Sequence, residues 1–403
     1  MRFSSLVLSA ATASAAVITR QSNSPATKSK VLLGSPGFVS VADFDGKEFK
    51  VVANTSALGA PSWLAFKEPN LIYAVNENAN DTSLFSFDSA TNELKLVTNA
   101  TGYGGVVSIE FNADKTRLVG TSFTDGTIDV WDTSSATELK LIKQLKSNDP
   151  VGPNTERQGT NHAHQAILDP SGRFFAVNDL GSDTVVIIDS KDDLFEITSH
   201  NRVPTPGCGP RHGVWYPAKA EKATHYLLVC EMLNLVQVFS VSYNDTGVAF
   251  TRTQELSTYG PNPPADGKGA AAEIAVTGDG KHVYVSNRLT GQDTDSIAHF
   301  KVKQTAATGG SPCSAAPGGI ELEFVDSISS GGLFPRHFSL SKDEKTLLVG
   351  NQNGTSGLAA FSRAADSGKL TATAVASLPV TAFGVQGGAL GAAPGPQFVL
   401  QIV

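Results

Sequence analysis

Residues 162–190 read HAHQAILDPSGRFFAVNDLGSDTVVIIDS. An apolar alternation through Ala166 and Leu168 runs into the turn Asp169-Pro170-Ser171-Gly172. A second apolar run, 174–177, ends in the polar stretch 179–183, and a third covers 185–188. Short runs rich in Val, Ile and Phe between Gly, Pro and Asp turns are antiparallel strands. Three or four of them make one small sheet.

The same layout recurs on both sides of this stretch. Six segments begin near Pro61 (PSWLAF), Val106 (VVSIEF), Ala163 (AHQAIL), Pro210 (PRHGVW), Ala271 (AAEIAV) and Pro335 (PRHFSL). Their second strands read LIYAVNE, RLVGTSF, RFFAVND, YLLVCEM, VYVSNRL and TLLVGNQ. The spacing, about 45 to 60 residues, is that of propeller blades. The two ends supply a seventh unit. Val31 to Ser35 (VLLGS) reads as a second strand, with third and fourth strands after it, and Pro396-Gln397-Phe398-Val399-Leu400 reads as the missing first strand. A blade shared between the N- and C-terminal strands closes the ring and hides the sheet edges. The expected fold is all-β: a single seven-bladed β-propeller over residues 30–403, preceded by a signal peptide at 1–18 and a leader at 19–29.

The export signal rests on Arg2, a short apolar core at 6–11 and the small-residue site Ala13-Ser14-Ala15. The apolar run is too short to span a bilayer. Five sequons, at Asn54, Asn80, Asn99, Asn244 and Asn353, fit a secreted glycoprotein and would lie in surface turns. The net charge of -7 without a basic cluster argues against nucleic-acid or anionic-membrane partners. The three cysteines, Cys208, Cys230 and Cys313, form neither a disulfide framework nor a zinc pattern. Cys208 precedes a first strand and Cys230 nearly ends the antiparallel second strand of the same blade. A bridge between them is therefore feasible, with two separate buried thiols as the alternative.

In a propeller blade the first strand lines the central channel. The start of strand one and the end of the antiparallel strand two share one rim. The first set of positions is Ser62, Val107, His164, Arg211, Ala272, Arg336 and Gln397; the second is Ser35, Glu77, Phe123, Asp179, Glu231, Arg288 and Gln352. Most are polar, and unpaired buried charge is costly, so they are expected to converge on a polar mouth. The competing reading has them as salt bridges that merely orient blades. Alternation along the strand turns His212 and His337, each beside a rim arginine, away from the channel. His162 and His164 are two apart with no third metal ligand at a suitable spacing, and the Asp-rich turns lack calcium-loop spacing. No metal or other cofactor is expected.

The segments PSWLAF…LIYAVNE, HQAILDPSGRFFAVNDLGSD, GPRHGVWYP, EIAVTGDGKHVYVSNR and FPRHFSLSKDEKTLLVGNQ resemble a seven-bladed propeller family. It contains bacterial 6-phosphogluconolactonases and fungal 3-carboxy-cis,cis-muconate lactonizing enzymes. The resemblance implies catalytic residues His164, Arg211, Glu231 and Arg288, with Glu77, Arg336 and Gln352 as substrate-binding neighbours. Arginines clamp carboxylates bidentately, His164 can move a proton, and Glu231 can serve as general base or hold His164. The expectation is a secreted enzyme that forms or opens the lactone ring of a small carboxylated substrate, in the manner of carboxymuconate cyclase. Export argues against a phosphorylated intracellular lactone. Two alternatives stand beside it: a 6-phosphogluconolactonase-type hydrolase, and a non-catalytic secreted glycoprotein that binds a ligand. Oligomeric state is left open.

Overall fold

The computed structural model describes residues 28–264, 268–305, 318–383 and 393–403. The expected signal peptide, most of the leader, and Cys313 lie outside the described residues. Seven four-stranded antiparallel sheets account for the strands. Blade 1 comprises Leu64–Lys67, Leu71–Val75, Asp81–Asp88 and Glu93–Thr101, and blade 2 comprises Val106–Phe111, Arg117–Ser122, Thr127–Asp132 and Lys140–Lys146. Blades 3 to 6 begin with Ala163–Leu168, Pro210–Tyr216, Ala270–Val276 and Leu333–Leu340. In blade 7 the C-terminal strand Phe398–Gln401 pairs with Ser29–Ser35, placing Gly34 opposite Phe398 and Val31 opposite Gln401. Hydrogen bonds from Gln397 N to Gly34 O (2.7 Å) and from Ile402 N to Lys30 O (2.8 Å) extend this closure. Both chain ends thus complete one sheet and close the ring.

Successive blades bury their faces against each other. Between blades 4 and 5, Leu227, Val229, Val236 and Val238 meet Val283, Val285, Ala298 and Phe300, all fully buried. Between blades 3 and 4, Phe174, Ala176, Val185 and Ile187 meet Trp215, Tyr226 and Leu228. Strand alternation sends one apolar row to each neighbour. The inner ends of the blades are thereby fixed relative to one another, and side chains on the first strands meet at the hub.

Cys208 and Cys230 form a disulfide, with Cα atoms 4.6 Å apart and a sequence separation of 22. Both are fully buried. The bridge ties the loop that leads to Arg211 onto the strand end that carries Glu231, and Glu231 N donates to Gly209 O at 2.9 Å beside it. Closing a loop of this size in the unfolded chain contributes about 3 kcal/mol. Cys208→Ala/Cys230→Ala is expected to shift the urea unfolding transition by roughly that amount. An unchanged midpoint would show the bridge to be energetically idle.

The sequon asparagines differ from the surface turns expected. Asn80 lies in a turn, but Asn54 and Asn99 lie within outer strands, while Asn244 and Asn353 end strands. All are exposed except Asn353, which is half-buried. The side-chain oxygens of Asn54 and Asn99 accept hydrogen bonds from Ser40 (3.0 Å) and Ser83 (2.7 Å).

Candidate active site

The rim residues of the first strands share a backbone feature. The pairing of strand one to strand two breaks between Val106 and Ser108, Ala163 and Gln165, Pro210 and Gly213, Ala271 and Ile274, and Pro335 and His337. The residues left out of the ladder include Val107, His164, Arg211, Ala272 and Arg336. Each is the rim position of its blade. A bulge takes a residue out of register and re-aims its side chain. Five blades use this device at one height of the channel, and it brings His164, Arg211 and Arg336 into a common mouth.

The second-strand ends supply the opposing charges. Glu231 follows Val229 and Cys230 directly, Arg288 closes the strand His282–Arg288, and Glu77 lies two residues past Val75. Glu231 sits at the centre: Arg211 Nε is 2.9 Å and Arg288 Nη2 2.9 Å from its Oε2, and Arg157 Nη2 is 2.6 Å from its Oε1. Arg336 Nη2 pairs with Glu77 Oε2 at 2.8 Å. Together these groups surround a cavity of about 140 Å³ that opens to solvent. Four guanidiniums face two carboxylates there, so the mouth carries an excess of two positive charges.

Burial alone would raise the Glu231 carboxyl, but Arg288 and Arg211 overcome it and hold the group below the usual carboxylate range. Burial likewise opposes Arg336 at Glu77, and the net direction is again down. For His164, burial and then the Arg211 charge push the pKa well below its ordinary value, so the imidazole is neutral at pH 7. Arg211 is only 1% exposed. Its Nε contact to Glu231 lacks hydrogen-bond alignment, and among the described residues neither Nε nor Nη1 has an aligned acceptor. Arginine stays protonated, so these are buried donors left without an aligned partner.

Beneath the mouth the hub is filled. His212 and His337, expected to turn away from the channel, point into it, because the bulges break the alternation on which that expectation rested. Trp63 packs edge-on against both rings, at 5.2 and 4.8 Å between centroids, and His212 packs against His164 at 5.1 Å. Glu273 joins them. Its two oxygens lie 3.1 Å from His212 Nδ1, and Oε2 lies 3.6 Å from His337 Nε2. Burial pushes Glu273 up to about 8 and His337 down to about 3. This layer holds blades 4, 5 and 6 together around a column that has little net charge at neutral pH.

Not every rim position reaches the mouth. Asp179 is buried in its own turn, accepting from His162 N (2.7 Å) and Gly181 N (2.9 Å). Gln352 stands away from the charged cluster, where its carbonyl accepts from Gly395 N (2.9 Å) as the chain returns to close blade 7; it is not among the residues lining the cavity. Phe123 does line the cavity and stacks on His162, with ring centroids 4.4 Å apart. Two residues were not anticipated. Arg157 belongs to the connection between blades 2 and 3, outside the repeat positions. Glu273 sits one residue past Ala272 and enters the hub only because its bulge spans two residues. A larger hollow of about 470 Å³ lies among Phe66, Phe111 and Phe398 at the other end of the inner strands. Its charged lining is limited to Glu110 and Lys115, and the concentration of ion pairs marks the smaller mouth as the chemical site.

This mouth can bind an anion through its arginines and offer a neutral imidazole as proton acceptor. A family model described as "Lactonase, 7-bladed beta-propeller" matches residues 25–382. A protein of Arthroderma benhamiae named "Probable 6-phosphogluconolactonase" is 29% identical over 350 residues, covering 85% of this chain and 84% of that one. The 6-phosphogluconolactonase of Bacillus subtilis is also 29% identical, covering 84% of this chain and 90% of its own length. Among solved structures, the periplasmic gluconolactonase of Pseudomonas aeruginosa superposes with a TM-score of 0.73 at 21% identity, covering 94% of this chain and 99% of that one. At that identity the likeness speaks to the fold.

Proposed function

As the chain belongs to the lactonase family of seven-bladed β-propellers, we propose that it hydrolyses an anionic sugar lactone of the 6-phosphogluconolactone type. The hydrolase takes precedence over the cyclase reading, because two relatives that align along most of the chain carry the 6-phosphogluconolactonase name. The opposing argument from export rests on the sequence of residues 1–18 and speaks to where the lactone is met, not to the hydrolase class of reaction. Export and glycosylation remain part of the proposal on the sequence signals alone.

The observation that carries the reading is the two-charge excess at the mouth. A substrate anion neutralises the excess. The lactone carbonyl then lies against the Arg211 and Arg288 guanidiniums that line the cavity, and water attacks the carbonyl carbon as the oxygen becomes an oxyanion. His164, neutral at pH 7, accepts the proton of the attacking water and returns it to the departing ring oxygen. The products are one carboxylate, one hydroxyl and one proton released to solvent. Glu231 is not the base in this scheme. It is engaged by three arginines, and its role is to position Arg211 and Arg288.

The test is proton release on adding 6-phosphoglucono-1,5-lactone, with spontaneous hydrolysis subtracted. We expect a saturable rate at least about 10²-fold above background at low-micromolar protein. No acceleration, with 3-carboxymuconate converted instead, would return the cyclase to first place.

A further inference from the structure

We propose that Arg157 is a specificity-determining residue that binds the anionic group at the end of the substrate remote from the lactone carbonyl. The inference rests on the hydrolase reading above and names the substrate feature that the site selects: a phosphate monoester.

Arg157 differs from the other arginines of the mouth in origin and in exposure. Arg211, Arg288 and Arg336 stand on blade strands with side chains 1%, 13% and 14% exposed, whereas Arg157 reaches in from the 147–162 connection with 43% exposed. A ligand entering from solvent meets its guanidinium first. The connection is long but tied down. Gln158 is fully buried, its Nε2 donating to Leu180 O and Asp183 Oδ1, both at 2.8 Å, and its Oε1 accepting from Asn154 N at 3.1 Å. Asn154 in turn accepts from Arg157 N through Oδ1 at 3.1 Å. A Cβ on Gly152 would stand 2.2 Å from the Gln158 carboxamide, so the backbone there packs directly on this anchor. The turn is built to hold Arg157 at one place on the rim.

One bond fills only part of the guanidinium's capacity. Nη2 donates to Glu231 Oε1 at 2.6 Å, and no other side-chain hydrogen bond from Arg157 is seen among the described residues. Its planar fork matches phosphate bidentately. Glu231 keeps Arg211 and Arg288 when Arg157 turns toward a ligand, so the exchange leaves no carboxylate unpaired. Arg211 and Arg288, deeper and nearer His164, are left to the reacting carbonyl.

The experiment uses the full-length protein and compares kcat/KM for 6-phosphoglucono-1,5-lactone and glucono-1,5-lactone in wild type, Arg157→Ala and Arg157→Lys. Losing a charge-assisted fork is expected to lower kcat/KM for the phosphorylated lactone by about 30-fold, chiefly through KM, against about threefold for the unphosphorylated one. Arg157→Lys recovers part of the phosphate preference, since it keeps the charge and loses the fork. Equal losses on both lactones, or no loss on either, would overturn the assignment. If wild type turns over neither lactone, the hydrolase reading fails by itself, and calorimetry with 6-phosphogluconate and gluconate then decides this proposal. Phosphate-selective binding at least tenfold weaker in Arg157→Ala upholds it, and equal affinities of the variant and wild type for 6-phosphogluconate reject it.

Discussion

Glu231→Gln is expected to lower lactone turnover by at least 10²-fold and to cost the fold about 3–5 kcal/mol, the range for removing one partner from a buried ion cluster. The carboxylate is 7% exposed and is the common ion-pair partner of Arg157, Arg211 and Arg288. An amide is isosteric but leaves three guanidiniums in mutual repulsion, so the arginines splay and the donors at the mouth lose their aim. The pH dependence separates this from a simple packing defect. In the folded protein the Glu231 pKa lies below its ordinary value near 4.5, because the arginines outweigh burial. A depressed acid stabilises the fold above its unfolded pKa, and that contribution drains away as the pH falls toward the folded value. Wild type should therefore lose melting temperature below about pH 4.5, and Glu231→Gln should lose less over the same interval. Thermal melts between pH 3 and 7 read both quantities. Parallel curves for the two proteins would remove Glu231 from the centre of the cluster.

The stability of this arrangement has a physical logic. A mouth with four arginines would repel itself apart if the layer beneath it were also positive. That layer contains His212 and His337, both pushed down by burial first and then by Arg211. His337 Nδ1 accepts from Val399 N at 3.3 Å, which leaves Nε2 as the protonated nitrogen facing Glu273. The hub histidines are neutral neighbours of a buried acid, and the excess positive charge is confined to the solvent-facing layer, where an incoming anion can use it.

The ring and most of the mouth were legible in the sequence. Seven repeats with matched turns define blades, and the antiparallel relation of strands one and two places Arg211, Glu231 and Arg288 on one rim without coordinates. What the repeat could not show is height and facing. His212, His337 and Glu273 follow from bulges that insert one or two residues into the inner strand, and a period-two reading assigns such residues to the wrong face. Gln352 failed for a related reason: the repeat aligns it with Glu231, yet the chain returning to blade 7 occupies the space beside it. Arg157 carries no repeat signal. The hint available was the length of the 147–162 connection, because long loops between blades are where a propeller adds function.

The second large effect is expected at Arg211. Arg211→Ala should reduce kcat/KM for the phosphorylated lactone by about 10²–10³-fold, the range for deleting an oxyanion donor. It should also destabilise the protein by about 3–5 kcal/mol, since Glu231 loses a buried partner. Arg211→Lys discriminates between these two contributions. The ammonium restores a positive charge beside Glu231 and should recover much of the stability. It cannot reproduce the planar, fixed donor array of the guanidinium, so activity should remain within about tenfold of the alanine variant. Urea titration and initial rates on the same preparations give the two readouts. If lysine restores rate and stability together, charge alone suffices and the donor geometry assigned to Arg211 is wrong. If it restores neither, the side chain is needed chiefly as packing against His164 and the blades around it.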